Sequence, residues 1–271
     1  MGGDPKVLYD GPTIYETLGQ HGVHSFAFMH QDIAGSAYST VSQKGSELVP
    51  YIHGSDLMVK LRKKILETKG PAYFYVYWSQ IDSVQHAFAP YSREHYSEIS
   101  IFSNLMISEF FKKLRKQDSK NILFLLSADH GQVSTDKIVH LEDFIDLSDL
   151  LRMNKSGGVI PPTGHPRDLF LLIKPDKVNE TFLRLKQCGI EKFADIMLIE
   201  DALAKGLFGL GSTSQRFLAR AGDILLLPRE EYNIWHKGFT KNPAKLKGIH
   251  GGLSQEEMLV PFISARLNDL I

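Results

Sequence analysis

The sequence predicts an α/β protein, with a mainly parallel sheet flanked by helices and a small α+β insertion. Three observations point there. Apolar runs of four to six residues recur along the chain, too short for core helices and bounded by turn residues. The runs are uninterrupted rather than alternating, as in strands covered on both faces. Between them lie longer segments whose apolar residues share one helical stripe, the βαβ rhythm of parallel sheets.

In chain order, Thr13 opens a short helix and Ser36 falls in a loop. A helix over 56–68 follows a Ser55 cap and stops at Gly70. The aromatic and β-branched run 73–78 is a strand. The segment 92–116 places Phe102, Leu105, Met106, Phe110 and Leu114 on one face. Lys112, Lys113, Arg115 and Lys116 suit its C-terminal end. Residues 122–126 form a second buried strand. Gly157-Gly158 and Pro161-Pro162 then break the pattern. Beyond them come strands at 169–173, 196–199, 224–227 and 259–263, with a helix over 176–187 that ends before Gly189. The expected division is an α/β core over 1–140, an inserted cap-like subdomain over 141–248, and a return to the core over 249–271.

Composition excludes several classes. The 31 basic residues balance 31 acidic ones in a chain of 271, so general attraction to nucleic acid or anionic membrane is not expected. Cys188 is the only cysteine, so no intrachain disulfide forms. The stretch Met1-Gly2-Gly3-Asp4-Pro5-Lys6 lacks the basic-then-apolar pattern of a secretory signal. No segment reaches the roughly 20 apolar residues that span a bilayer. The expectation is a cytoplasmic protein without membrane or nucleic-acid partners.

Three segments carry chemistry. Ser127-Ala128-Asp129-His130-Gly131 directly follows the strand at 122–126, where open α/β sheets place their ligands. Its alternative is a polar turn that caps a helix. Asp82 and His86 are four apart after the strand at 73–78 and share a side of one helical turn, either to grip a cation or as a surface pair. His250 lies between Gly248 and Gly251-Gly252, so the backbone can come close and the imidazole can enter a cleft; the alternative is a histidine in a flexible loop. Ser254 with Glu257 forms a capping box just after it. Mixed carboxylate and imidazole donors suit Zn²⁺, with Mn²⁺ as the alternative. Together the segments make a two-metal hydrolase constellation.

These segments, in this order, resemble the alkaline phosphatase superfamily, and within it the type I phosphodiesterase/nucleotide pyrophosphatase branch. The similarity runs through 73–94, including the Pro90-Tyr91-Ser92 turn, then 127–133 and 250–262, with weaker likeness at 12–18 and at Pro166-Arg167-Asp168. The resemblance implies an alkaline-phosphatase-like fold and hydrolysis of phosphodiester or nucleotide pyrophosphate bonds in a small phosphate ester or nucleotide. It implies one zinc on Asp82, His86 and His250, and a second on Asp129 and His130. It also calls for an Asp and a Thr or Ser nucleophile upstream of position 13. Asp4 and Asp10 lack a preceding strand, and neither Thr13 nor Ser36 has the nucleophile's context, so no catalytic nucleophile is assigned. The expectation is therefore an N-terminally incomplete version of the family fold that binds one zinc. It would be half of a split enzyme, a truncated product or a one-metal relative, with a partner chain or a homo-oligomer supplying the rest. The rival is a non-catalytic zinc-binding module.

Other residues are weighed beside these. Arg167 suits a phosphate oxygen, or pairs with Asp168 or a surface acid. His165 is a substrate-side residue. Arg216 and Arg220, near Asp223, are structural. Trp235 and Phe239 line an aromatic wall or pack the subdomain. Cys188 is expected to be buried. His21, His24, His30, His53, His95, His140 and His236 have no motif support.

Overall fold

The computed structural model describes residues 5–7, 9, 11–237 and 246–271. Asp4, Asp10 and Phe239 lie outside the described residues. The chain divides into two compact units: residues up to Ser83 with Arg93–Leu126 and Phe262–Ile271, and Val84–Ser92 with Ser127–Pro261.

The first unit is built on three parallel strands, Glu47–Tyr51, His24–His30 and Ala72–Val76, with His24–His30 in the middle. Phe26 pairs in register with Phe74 and their rings stack at 5.2 Å. The helix Gly54–Glu67 lays Leu57, Met58 and Leu61 on the core formed by Phe26, Phe28, Tyr51, Met106 and Phe110. It begins earlier than Ser55 predicts. The Asp56 carboxylate accepts from His53 N at 2.6 Å and Ile52 N at 3.1 Å, so Asp56 ties down the entry and Ser55 falls within the first turn. The expected long helix at 92–116 runs as Arg93–Leu105, then widens into a π turn, Met106–Phe110. Thr13 opens Ile14–Gln20 with a capping box to Glu16, as expected. Ser36 lies in the connection between Gln31–Ala34 and Ala37–Ser42, as expected, and caps the second helix, its hydroxyl accepting from Ser39 N. The strand at 122–126 is observed as Leu123–Ser127, and its neighbour is Phe262–Arg266. That last strand starts three residues later than predicted. The helical turn Gln255–Met258 ends at Leu259, and Pro261 has no N–H to offer a ladder.

The second unit contains a four-stranded antiparallel sheet, ordered Thr163–His165, Asp168–Leu171, Ile224–Pro228, Ala194–Leu198. Ile224–Pro228 is buried at every position. Side chains alternate along a strand. Ile224 and Leu226 therefore join one core with Leu141, Leu169, Leu171 and Ile234, while Leu225 and Leu227 join another with Ile199 and Ala202. Two further pairs position the chemistry. Tyr232–Trp235 lies parallel to Lys137–His140, and Gly248–Ile249 lies antiparallel to Val133–Ser134. Trp235 is buried with Val133 and Ile249, so it packs the interior and does not line an aromatic wall. The Asp223 carboxylate holds Arg152 at 2.8 and 2.9 Å. Cys188 is half-buried against the larger core rather than fully enclosed. Among the described residues, no helix is long and apolar enough to cross a membrane.

Candidate metal centre

Four histidines of the second unit, His86, His130, His165 and His250, form a cluster centred on His250. Its ring stacks on that of His130 at 3.5 Å between centroids and lies 5.2 Å from His86 and 6.2 Å from His165. They come from separate elements: the helix Gln80–Phe88, the loop after Leu123–Ser127, the strand Thr163–His165, and the loop after Gly248–Ile249.

Main-chain carbonyls orient two of the rings. His86 Nδ1 lies 2.8 Å from Gly248 O, and His130 Nδ1 lies 3.0 Å from Gly131 O. A carbonyl accepts only, so each Nδ1 carries the proton and donates it. Each Nε2 is then left with its lone pair, the arrangement of a ligating histidine with a supporting acceptor. Lys247 N also donates to His86 O at 2.7 Å, which pins the loop before His250 to the helix end. Asp129 stays close to its neighbour, with one carboxylate oxygen 3.7 Å from His130 Nε2. Asp82 lies one turn before His86 on the helix Gln80–Phe88, as the four-residue spacing predicts.

Gly131 is required by close approach rather than by an unusual dihedral. A Cβ built there would overlap the carbonyl oxygen of Glu256, and Gly131 N donates to Glu257 O at 2.8 Å. Gly251 has a φ of +122°, a conformation that favours glycine.

Arg167 is fully buried, and each of its guanidinium nitrogens has a hydrogen-bond partner. Nε and one terminal nitrogen donate to Glu257 at 3.0 and 2.6 Å, and the other terminal nitrogen donates to Tyr232 O. The acid that Arg167 pairs with is Glu257, not Asp168, and these bonds engage three of its five N–H groups. Glu257 also accepts from Gly252 N at 2.7 Å and from the Ser254 hydroxyl at 2.8 Å. Burial pushes the Glu257 carboxyl up, but Arg167 outweighs it and holds the group below the usual carboxylate range. The capping-box spacing had marked Glu257 only as a helix cap; its ion pair with a residue 90 positions away has no local signal.

His165 and Asp168 face each other across the hairpin of Thr163–His165 and Asp168–Leu171. Burial, with His250 and His86 nearby, lowers the His165 pKa to about 4, so the ring is neutral at pH 7. Burial raises Asp168 to about 6. Nδ1 of His165 and Oδ1 of Asp168 are both buried without a hydrogen-bond partner. Imidazoles oriented to present Nε2, with carboxylates to balance charge, are the donor set of a divalent transition metal.

The family model for type I phosphodiesterase / nucleotide pyrophosphatase matches residues 2–253. The chain belongs to this family. Murine ectonucleotide pyrophosphatase / phosphodiesterase 5 is similar to it at 18% identity and a TM-score of 0.64, over 93% of this chain and 62% of that one. The human counterpart is 15% identical with a TM-score of 0.65, over 96% of this chain and 65% of that one. Phosphonoacetate hydrolase from Sinorhizobium meliloti 1021, in complex with phosphonoformate, is 17% identical with a TM-score of 0.65, over 100% of this chain and 74% of that one. A search of the curated proteins found no match. This member of the phosphodiesterase family thus spans about three fifths of the length of the murine neighbour. The likeness establishes the fold, which is mixed α/β and alkaline-phosphatase-like as the motifs implied.

Proposed function

We propose that this chain is a metal-dependent hydrolase acting on phosphodiester or nucleotide pyrophosphate bonds. The observation that carries the proposal is the cluster of His86, His130 and His250, with two rings turned by carbonyls to offer Nε2. We assign one zinc to Asp82, His86 and His250 and a second to Asp129 and His130, with manganese as the alternative occupant. Ions held there stabilise the negative charge of a phosphoryl group under attack. The protein's own part is to fix the ring tautomers, to hold the His250 loop through Glu257, and to keep His165 neutral beside the centre. We assign substrate choice to the inserted stretch 141–248. The proposed substrate is a small phosphate ester or nucleotide; one structure of the murine neighbour holds AMP.

Which residue attacks phosphorus is left unassigned, because neither Thr13 nor Ser36 is free for that task. Thr13 donates to Lys44 O at 2.5 Å, and Ser36 caps a helix. The test is turnover of a chromogenic phosphodiester by the purified chain, with zinc and after chelation. Zinc-dependent release of the chromophore is expected. Tight zinc binding without turnover favours the non-catalytic module, or a subunit whose nucleophile comes from elsewhere.

A further inference from the structure

We propose that the free edge of the strand Leu123–Ser127 is a docking site for an extended segment of a second polypeptide, apolar along its length and acidic at one end. The strand's own sequence points to a missing neighbour. Residues 122–126 are apolar at every position, the composition of a strand covered on both faces. The structure covers one face only. Phe124 and Phe111, with ring centroids 5.5 Å apart, pack against the core of Phe26, Met106 and Phe110. On the opposite face Leu123 is 62% exposed and Leu125 54%, and Phe262 of the neighbouring strand is 72% exposed. The backbone points the same way. Among the described residues the pair Leu123–Ser127 and Phe262–Arg266 has no third strand, so each strand keeps one edge without a ladder partner. Sheets guard such edges with charges, proline or a bulge. Leu123–Ser127 carries no charged residue and no proline.

The chemistry of the edge selects its occupant. A row of N–H and C=O groups is satisfied by another extended backbone, and alternate side chains of that segment then meet the exposed leucines. A lipid or a small molecule offers no such ladder. Charge selects the end of the segment. Lys120 and Arg266 line a cavity of about 440 Å³ together with Asn121, Ile122, Leu123 and Asn268, where the strand begins. Both cations are exposed, and among the described residues neither has an ion pair. A carboxylate on the incoming segment is the group that suits them. Leu123–Ser127 itself has no carboxylate to offer, so charge selects a different polypeptide over a second copy paired strand to strand.

The probe is a synthetic peptide of alternating valine and threonine that ends in a glutamate pair, and its control ends in a lysine pair. Hydrogen exchange with mass spectrometry follows residues 123–127, titration gives the affinity of each peptide, and light scattering gives the mass of the chain alone. Expected are a monomer and slowed exchange over 123–127 with the glutamate peptide. Exchange over His24–His30, whose two edges are already paired, is expected to stay the same. Lys120→Glu combined with Arg266→Glu is expected to weaken the glutamate peptide about tenfold and to favour the lysine peptide, the scale of reversing two exposed pairs. Leu125→Lys places a guarding charge on the edge and is expected to abolish binding of both peptides. No protection of 123–127 by the glutamate peptide overturns the proposal, and so does equal binding of the two peptides by the wild type. A dimer of the chain alone that Leu125→Lys dissociates gives the edge to a second copy and overturns it as well.

Discussion

Glu257 accepts from Arg167, Gly252 and Ser254, and its side chain is about 1% exposed while that of Arg167 is fully enclosed. Removing one partner of such a pair strands a charge away from water, which costs about 3–5 kcal/mol. Glu257→Ala is expected to lose stability on that scale in urea unfolding. A loss under about 1 kcal/mol, typical of an exposed pair, would show that the enclosure is not maintained. The pH dependence has a definite sign. The carboxyl titrates lower in the folded protein than in the unfolded chain, so its stabilisation is present above the unfolded value of about 4.3 and fades as pH falls through the lower folded value. Glu257→Gln should flatten the acid limb of the stability curve in that window. A second residue-scale contrast separates ligand from bystander. His236 pairs with Glu142 at 3.5 Å, whereas His250 lies amid the imidazole cluster. His250→Ala is expected to lose most of the bound zinc and His236→Ala to keep it. Equal metal contents by elemental analysis would take His250 out of the centre.

Elements differed in how plainly the sequence announced them. The strand Ile224–Pro228 and the helix Val178–Leu185 follow from uninterrupted apolar runs and a helical stripe. The central strand His24–His30 escaped notice because histidines flank it and its apolar run is only the four residues 26–29; Ser25 is nevertheless buried. Its neighbour Glu47–Tyr51 is short and contains Pro50, which speaks against a strand from sequence alone, yet it occupies the edge of the sheet, where proline is tolerated. At the site, the Asp–His pairings and the glycine-flanked histidine were legible because they are local. The Arg167–Glu257 fork and the His165–Asp168 pair depend on how distant segments pack, so sequence spacing did not reveal them. Gly131 gives an element-scale prediction. Its neighbour is the Glu256 backbone, which cannot swing aside as a side-chain tip would. Gly131→Ala must displace either the loop carrying Asp129 and His130 or the turn carrying Glu257, at a cost of about 1–3 kcal/mol. Thermal unfolding should show a lower midpoint, and zinc affinity should fall with it. An unchanged midpoint would mean that the loop has slack that the packing does not suggest.

At the scale of the molecule, each unit has its own apolar core: Phe26, Phe28 and Leu57 in one, Leu141, Leu171 and Ile224 in the other. His86, His130, His165 and His250 all belong to the second unit, so metal binding should act on that unit's stability in particular. A ligand that binds only the folded state adds stability as its concentration rises above Kd, about 2.7 kcal/mol at a hundredfold excess. Chelation is therefore expected to speed hydrogen exchange in the pairs Val133–Ser134 with Gly248–Ile249 and Thr163–His165 with Asp168–Leu171 more than in His24–His30. Acidification from pH 8 to 5 should mimic chelation, because an imidazole must be neutral to ligate and the proton competes with the metal. Hydrogen exchange with mass spectrometry, with and without zinc at both pH values, checks both statements. A zinc effect spread evenly over the two units, or one that survives at pH 5, would argue that the histidines of the second unit are not what holds the ion.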